Sequence, residues 1–330
     1  LTFVARFQRW KNSSFARTLL ALRNNSLVRL AVNLLVFGFC IYYLAVHTEG
    51  MAAQIQQMDF SLGWLAAACA ITFVTVWTGA FTWWLLLQGF LPANVPAVEG
   101  LRSHLKSSVA KYIPGFAWSY IGKAYLTQKM GTGSKVISIL LMWELVQLIL
   151  TGLGIGLLLF PAFVMDQWNV PDWLGGAFRL TGFLLLVLPV AAPLAAERMV
   201  GRWLDRQPLR IRYLMAAPLV TIVGWLLLGL ALWTTLEAFG YSFPEAYLFY
   251  VFTFAISLVL GILVIPVPNG LGIREGMMVT LLSFFIPTPA ALLVSAAARL
   301  EIVLGDLLSA LLVDGMYHFG RFMKEKKLPN

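Results

Sequence analysis

The chain has 330 residues, of which 60% are hydrophobic and only 12% charged, with a formal net charge of +9. That balance excludes a soluble globular domain. Apolar runs of about 20 residues or more point instead to an all-α polytopic membrane protein, not a β-barrel of short alternating strands. The basic surplus fits loops facing anionic lipid, and no nucleic-acid partner is expected.

Residues 1–27 interleave Arg and Lys with Phe3, Val4, Phe7, Trp10, Phe15 and Leu19, the pattern of an amphipathic interfacial helix. They hold too many arginines, and no apolar core, for a cleavable signal peptide. Full spans are expected at 28–46, 61–90, 136–160, 174–196, 213–236 and 290–318, about six in all. Two regions between them, 97–130 and 246–287, are apolar or amphipathic but broken by Pro and Gly. A basic tail follows at 321–330. Cys40 and Cys69 fall within apolar runs, and three scattered histidines make no metal-site spacing. A phosphate-binding loop for nucleotides is not among the motifs, so an ion gradient, the membrane potential or downhill flux is the expected energy source; no metal or other cofactor is expected.

Charge placement sets the expected topology. Lys and Arg gather at 6–29, 102–135, 198–212 and 321–327, which together hold 21 of the 24. The segments 47–60, 161–173 and 237–246 hold none of them and carry Glu49, Asp59, Asp166, Asp172, Glu237 and Glu245. Both termini are therefore expected on the cytoplasmic side of the cell membrane. Parity then requires each broken region to return to the side from which it entered, or both to cross evenly. Read as re-entrant hairpins, they divide the chain into two units, 28–165 and 174–320. Each runs span, span, hairpin, span, and the second is inverted. Such inverted repeats are the sequence pointer to a transporter whose substrate sits where the broken segments meet.

The breaks have a chemistry of their own. In "KYIPGFAWSYIGKAYL" (111–126), Pro114 and Gly115 are flanked by Lys111, Tyr112, Trp118, Tyr120 and Lys123. In "VIPVPNGLGIREGMM" (264–278), Asn269 and Gly270 precede Arg274 and Glu275. A broken helix frees backbone N–H groups, and helix N-termini attract anions. The set suits a phosphate-bearing headgroup; the alternative is a Pro-Gly loop between ordinary helices with aromatics anchored at the interface.

These two stretches, followed by "ALLVSAAARLEIVLGD" (291–306) in the last span, resemble the flippase-like family of lysylphosphatidylglycerol synthase transmembrane regions. The likeness covers most of residues 28–320 and keeps the motifs in order. The resemblance implies a lipid-handling membrane module, in some members a flippase for aminoacylated phospholipid, in others a part of polyprenyl-phosphate or glycolipid pathways. The aminoacyl-phospholipid synthases carry a large soluble domain after the membrane part, and this chain ends at Asn330, so synthesis by this polypeptide alone is not expected. Ala117, Trp118 and Lys123 stand where many relatives show a Gly-acid-…-Arg pattern, which implies a different headgroup.

Ionisable groups within spans are costly and mark either a pathway or a pair. Arg274 suits bidentate phosphate binding, while Glu275 is either functional or the cap of its helix. Arg299 and Asp306 share a helix face and Glu301 points elsewhere. Arg299 contacts a headgroup or pairs with Glu144 or Glu275. Lys111 and Lys123 either bind substrate or snorkel to the interface. Arg102, His104 and Lys106 are expected at the cytoplasmic surface. Asp314 and His318 are expected to reach water, and Trp83 and Trp84 to pack or to sit in the aromatic belt.

The expected function is a lipid transporter or flippase, not an enzyme, for an anionic phospholipid, aminoacyl-phospholipid or polyprenyl-phosphate-type lipid. Lys111, Lys123, Arg274 and Arg299 would neutralise phosphate. Tyr112, Trp118, Tyr120 and Asn269 would shape the site. Glu144, Glu275, Glu301 and Asp306 are coupling candidates among which the sequence does not select. Two rivals remain: an integral-membrane enzyme on a lipid phosphate or lipid-linked sugar, with His104 as base, and a noncatalytic scaffold. A lipid-modifying synthase or glycosyltransferase is the expected protein partner, and a homo-oligomer is compatible with the sequence.

Overall fold

The computed structural model describes residues 60–112, 118–163, 171–200, 209–264, 270 and 272–325. The expected segment 1–27 and span 28–46 lie outside the described residues. The helices are α1 (Leu62–Phe90), α2 (Ala97–Val109), α3 (Trp118–Gln128), α4 (Ser134–Phe163), α5 (Asp172–Val200), α6 (Ile211–Ala238), α7 (Tyr247–Leu263), α8 (Ile273–Leu282) and α9 (Thr288–Glu325). Single 3-10 turns stand at Ala110–Tyr112 and Pro244–Ala246, and no strand occurs among the described residues.

Five segments are long and apolar enough to cross a membrane: α1, α4, Asp172–Ala195 of α5, α6 and Pro244–Leu263. The last is the first arm of the second broken region, so that arm alone matches a bilayer in length. The helix α9 is longer than any of them but carries Arg299, Glu301 and Asp306 in its middle. Its exposure pattern is that of a membrane helix turned toward lipid. Leu300, Leu304, Leu308 and Leu311 are all half exposed or more, while Ser295, Glu301, Asp306 and Ser309 are buried. The helix α5 likewise presents Leu180, Phe183, Leu184, Leu188 and Leu194 outward. Apolar outside and polar inside is the reverse of a water-soluble fold. The chain is a multi-pass α-helical membrane protein.

The centre of the molecule is the antiparallel pair α1–α6. The Ser61 N–H donates to the Ala238 carbonyl and the Arg210 N–H to the Gly89 carbonyl, each at 2.9 Å, so the two helices are tied at both ends. Small side chains let them approach, as expected where lipid supplies no hydrophobic drive between helices. A Cβ on Gly89 would lie 2.2 Å from Leu214 Cδ2, and one on Gly224 2.8 Å from Thr78 Oγ1. The α4–α5 pair is closer still, since a Cβ on Gly182 would meet the Leu158 backbone nitrogen at 2.5 Å. Around α7, the rings of Phe249, Tyr250, Phe252 and Phe254 form the largest apolar cluster, against Met278 and Leu282 of α8 and Ala290, Ala291, Val294 and Ala298 of α9.

The packing is reciprocal. Helix α1 touches α2, α4 and α9; its counterpart α6 touches α7, α9 and α4. The pair α2–α3 has its equal in α7–α8, α3–α4 in α8–α9, and α2–α9 in α7–α4. Among the described residues, exchanging α1–α4 for α6–α9 leaves this set of neighbours unchanged, while the contacts of α5 with α4 and α6 have no described counterpart.

Candidate functional site

Each broken region supplies a short helix after its break, α3 or α8, that packs on the arm before it and on the long helix after it. The second break ends on two glycines in the left-handed region, Gly270 (φ 63°) and Gly272 (φ 82°). Gly270 is needed for space as well, because a Cβ there would meet Gly261 Cα of α7 at 2.5 Å. Gly272 is the N-cap of α8, and its N–H donates to Glu275 Oε2 at 2.8 Å. Glu275 therefore satisfies one of the orphan donors at the helix start. Its other oxygen accepts from Arg299 Nη1 of α9 at 2.9 Å.

One turn of 3-10 helix from the first break meets the same place. Lys111 Nζ lies 2.5 Å from Asp306 Oδ2, and the Tyr112 hydroxyl donates to that oxygen at 2.5 Å. Arg274, 9% exposed, stacks its guanidinium over the Phe254 ring at 4.8 Å. It is within the electrostatic reach of Arg299, Glu275, Tyr112 and Asp306, yet no carboxylate among the described residues lies within ion-pair distance of it. Three cations thus face two carboxylates, leaving one positive charge over at a buried position.

A second cluster adjoins the first. Lys123 of α3 is buried and donates to both oxygens of Glu144 on α4, at 2.7 Å each. Its ammonium sits 4.6 Å over the fully buried Trp83 ring, whose Nε1 donates to Ser103 Oγ at 2.9 Å. His104 Nδ1 of α2 stands 3.3 Å from Glu144 Oε1. Next to Glu144 and His104 lies a cavity of about 210 Å³ between α1, α4 and α6, edged by Thr75, Thr78, Thr82, Gln147 and Thr221. Lys111 lies within electrostatic reach of both His104 and Lys123, which makes the two clusters neighbours. The short helix after each break therefore forms an ion pair with the long helix that follows, Lys123–Glu144 and Glu275–Arg299, with the signs exchanged.

Glu301 stands apart from both. It is 3% exposed and accepts from Thr235 Oγ1 of α6 at 2.9 Å and from Thr72 Oγ1 of α1 at 3.3 Å.

Of the residues singled out in the sequence, the structure brings Lys111, Tyr112, Arg274, Glu275, Arg299 and Asp306 together at one point and Lys123 with Glu144 at another. Tyr120 is half-buried within reach of Glu144, and Trp118 opens α3 with its ring exposed. Gly270 is buried against α7. Pro114, Gly115 and Asn269 lie outside the described residues. Lys123 does not snorkel; it is held inside by Glu144. His104 faces that carboxylate instead of the cytoplasmic surface, because Gly100, Ser103 and Ser107 give α2 a narrow buried face that brings the ring inward. Arg102 and Lys106, on the other side of that helix, clamp Asp314 of α9 at 2.6 and 2.8 Å. Trp83 is a core residue under Lys123, not a belt residue. Among the described residues, no cluster of His, Cys, Asp or Glu is suited to a metal ion.

Buried, paired charges between broken helices in an apolar bundle define a membrane protein with a polar interior. The sequence pattern described as Lysylphosphatidylglycerol synthase TM region matches residues 27–308, and the chain belongs to that family. Comparison with curated proteins gave no match.

Proposed function

We propose that this protein is a lipid transporter that carries the phosphate-bearing headgroup of an anionic lipid through the bundle while the acyl chains stay in the bilayer. The observation that carries the reading is Arg274. A buried guanidinium with no carboxylate partner is costly unless something else neutralises it, and a planar donor fork suits a phosphate. The family supports the substrate class, since its description names lysylphosphatidylglycerol, a lipid with a phosphate in its headgroup. Lys111, Lys123 and Arg299 stand nearby as further donors, with Tyr112 and Tyr120 at the edge of the same region.

In this reading the breaks are re-entrant hairpins. The helices α2, α3 and α8 have 13, 11 and 10 residues. At about 1.5 Å per residue none crosses a hydrocarbon core of about 30 Å. The reciprocal packing supports two inverted repeats, with both termini on the cytoplasmic side of the cell membrane. Alternate opening of the halves moves the headgroup from one side to the other. This assigns the chain no catalytic residue.

Binding tests the site directly. Arg274→Ala leaves Asp306 paired with Lys111 and Glu275 with Arg299, so the variant is expected to fold. A charge-assisted contact of about 1.5–3 kcal/mol then predicts a loss of roughly 10–100-fold in affinity for fluorescent phosphatidylglycerol in detergent. Unchanged affinity in folded Arg274→Ala would remove the proposed headgroup site.

A further inference from the structure

Among the described residues, four carboxylates are held in the interior of the bundle, and three of them have cations: Glu144 has Lys123, Glu275 has Arg299 and Asp306 has Lys111. Glu301 has hydroxyls alone. We propose that Glu301 is the proton-binding site that couples transport to a pH gradient, an inference that rests on the transporter reading above.

The surroundings of the carboxyl fit a group that exists in both states. Stripped of water and lacking a cation, the ionised form is costly, so a bound proton stabilises the buried arrangement. The Thr235 hydroxyl has one hydrogen and two acceptors in range, the Ala231 carbonyl at 2.8 Å and Glu301 Oε1 at 2.9 Å. With Glu301 protonated, Thr235 donates to the carbonyl and accepts from the acid. With Glu301 ionised, the hydroxyl turns and donates to the carboxylate. The proton is taken up from water on one side of the membrane and returned to water on the other, and no other bond changes.

The charges on the neighbouring elements are engaged elsewhere. On α8, Glu275 is paired with Arg299, and Arg274 faces Phe254. On α2, His104 faces Glu144, while Arg102 and Lys106 hold Asp314. Lys111 is on Asp306, and Glu237 of α6 is bound by Trp233 and Ser242. The Cys69 thiol of α1 lies within electrostatic reach of Glu301.

The position explains how a proton would be felt at the substrate site. Along α9, Glu301 is turned about 200° from Arg299 and about 140° from Asp306, at about 100° per residue. One face of the helix therefore binds the α1–α6 pair through Glu301. The opposite face carries the charges that meet α8 and the first break. Loss of the proton leaves an unpaired charge against α1 and α6 and favours release of α9 from them.

The test is lipid translocation by the full chain in liposomes, with and without an imposed pH gradient, for wild type and Glu301→Gln. Gln keeps the size of the side chain and can bond both threonines. A gradient should accelerate the wild type at least about tenfold and leave Glu301→Gln unaffected, while phosphatidylglycerol binding stays at the wild-type level. Glu301→Asp, which keeps a carboxyl, should retain gradient dependence. Equal gradient drive in wild type and Glu301→Gln, or a wild type indifferent to the gradient, would overturn the proton site and leave the transporter standing. Loss of drive in Glu301→Asp as well would mark the residue as structural. A wild type that moves no lipid at all would sink the transporter reading, and the proton site with it.

Discussion

Lys123 and Arg274 are both cations buried beside a chain break, yet they are held in opposite ways. Lys123 is locked to Glu144 by two bonds, and removing it strands a buried carboxylate. Breaking such a pair costs about 3–5 kcal/mol. Lys123→Met should therefore lower the melting temperature in detergent markedly, and adding Glu144→Gln to the same chain should recover most of the loss. A single variant as stable as the wild type would contradict the pairing. Arg274 strands nothing when removed, which makes it the cleaner probe of substrate. That both residues matter was legible in the sequence, because a charge in an apolar run must be explained. Which acid each one meets was not. Tyr112 and Asp306 are 194 positions apart, and only the fold brings them together. His104 was hidden in a basic amphipathic stretch; the signal that would have found it is the run of small residues Gly100, Ser103 and Ser107 at helical spacing.

At the scale of the element, close contact between helices depends on glycine. Gly182 of α5 lies against the backbone of α4, with Gly154 opposite, and any larger side chain must push the two helices apart. Gly182→Leu should destabilise the protein by about 1–3 kcal/mol. Gly176→Ala, in the same helix but with open space around it, should be neutral or slightly stabilising. Equal thermal stability of the two variants would refute the packing argument. Helix positions were largely legible: the expected spans 61–90 and 213–236 appear as Leu62–Phe90 and Ile211–Ala238. Hydropathy was less informative at the end of α9, which continues to Glu325 as its residues turn polar. Length and composition mark Pro244–Leu263 as apolar enough to span, whereas the burial of the interior charges of α9 by its neighbours is visible only in the fold.

At the scale of the whole molecule, α1–α4 and α6–α9 share a pattern of neighbours among the described residues. Spacing of Pro-Gly breaks and of basic loops suggested the repeat, but the reciprocal packing required coordinates. So did the Lys123–Glu144 and Glu275–Arg299 pairs, in which the signs are exchanged between the short helix and the long one. In the proposed transport, a phosphate headgroup passes through the bundle by way of Arg274. The direct measurement is translocation in reconstituted liposomes of fluorescent lipids with phosphatidylglycerol, lysyl-phosphatidylglycerol and polyprenyl-phosphate headgroups, for wild type and Arg274→Ala. Headgroup-selective transport by the wild type, at least about tenfold slower in the folded variant, is the predicted result. No transport of any headgroup, or full-rate transport by Arg274→Ala, would contradict it.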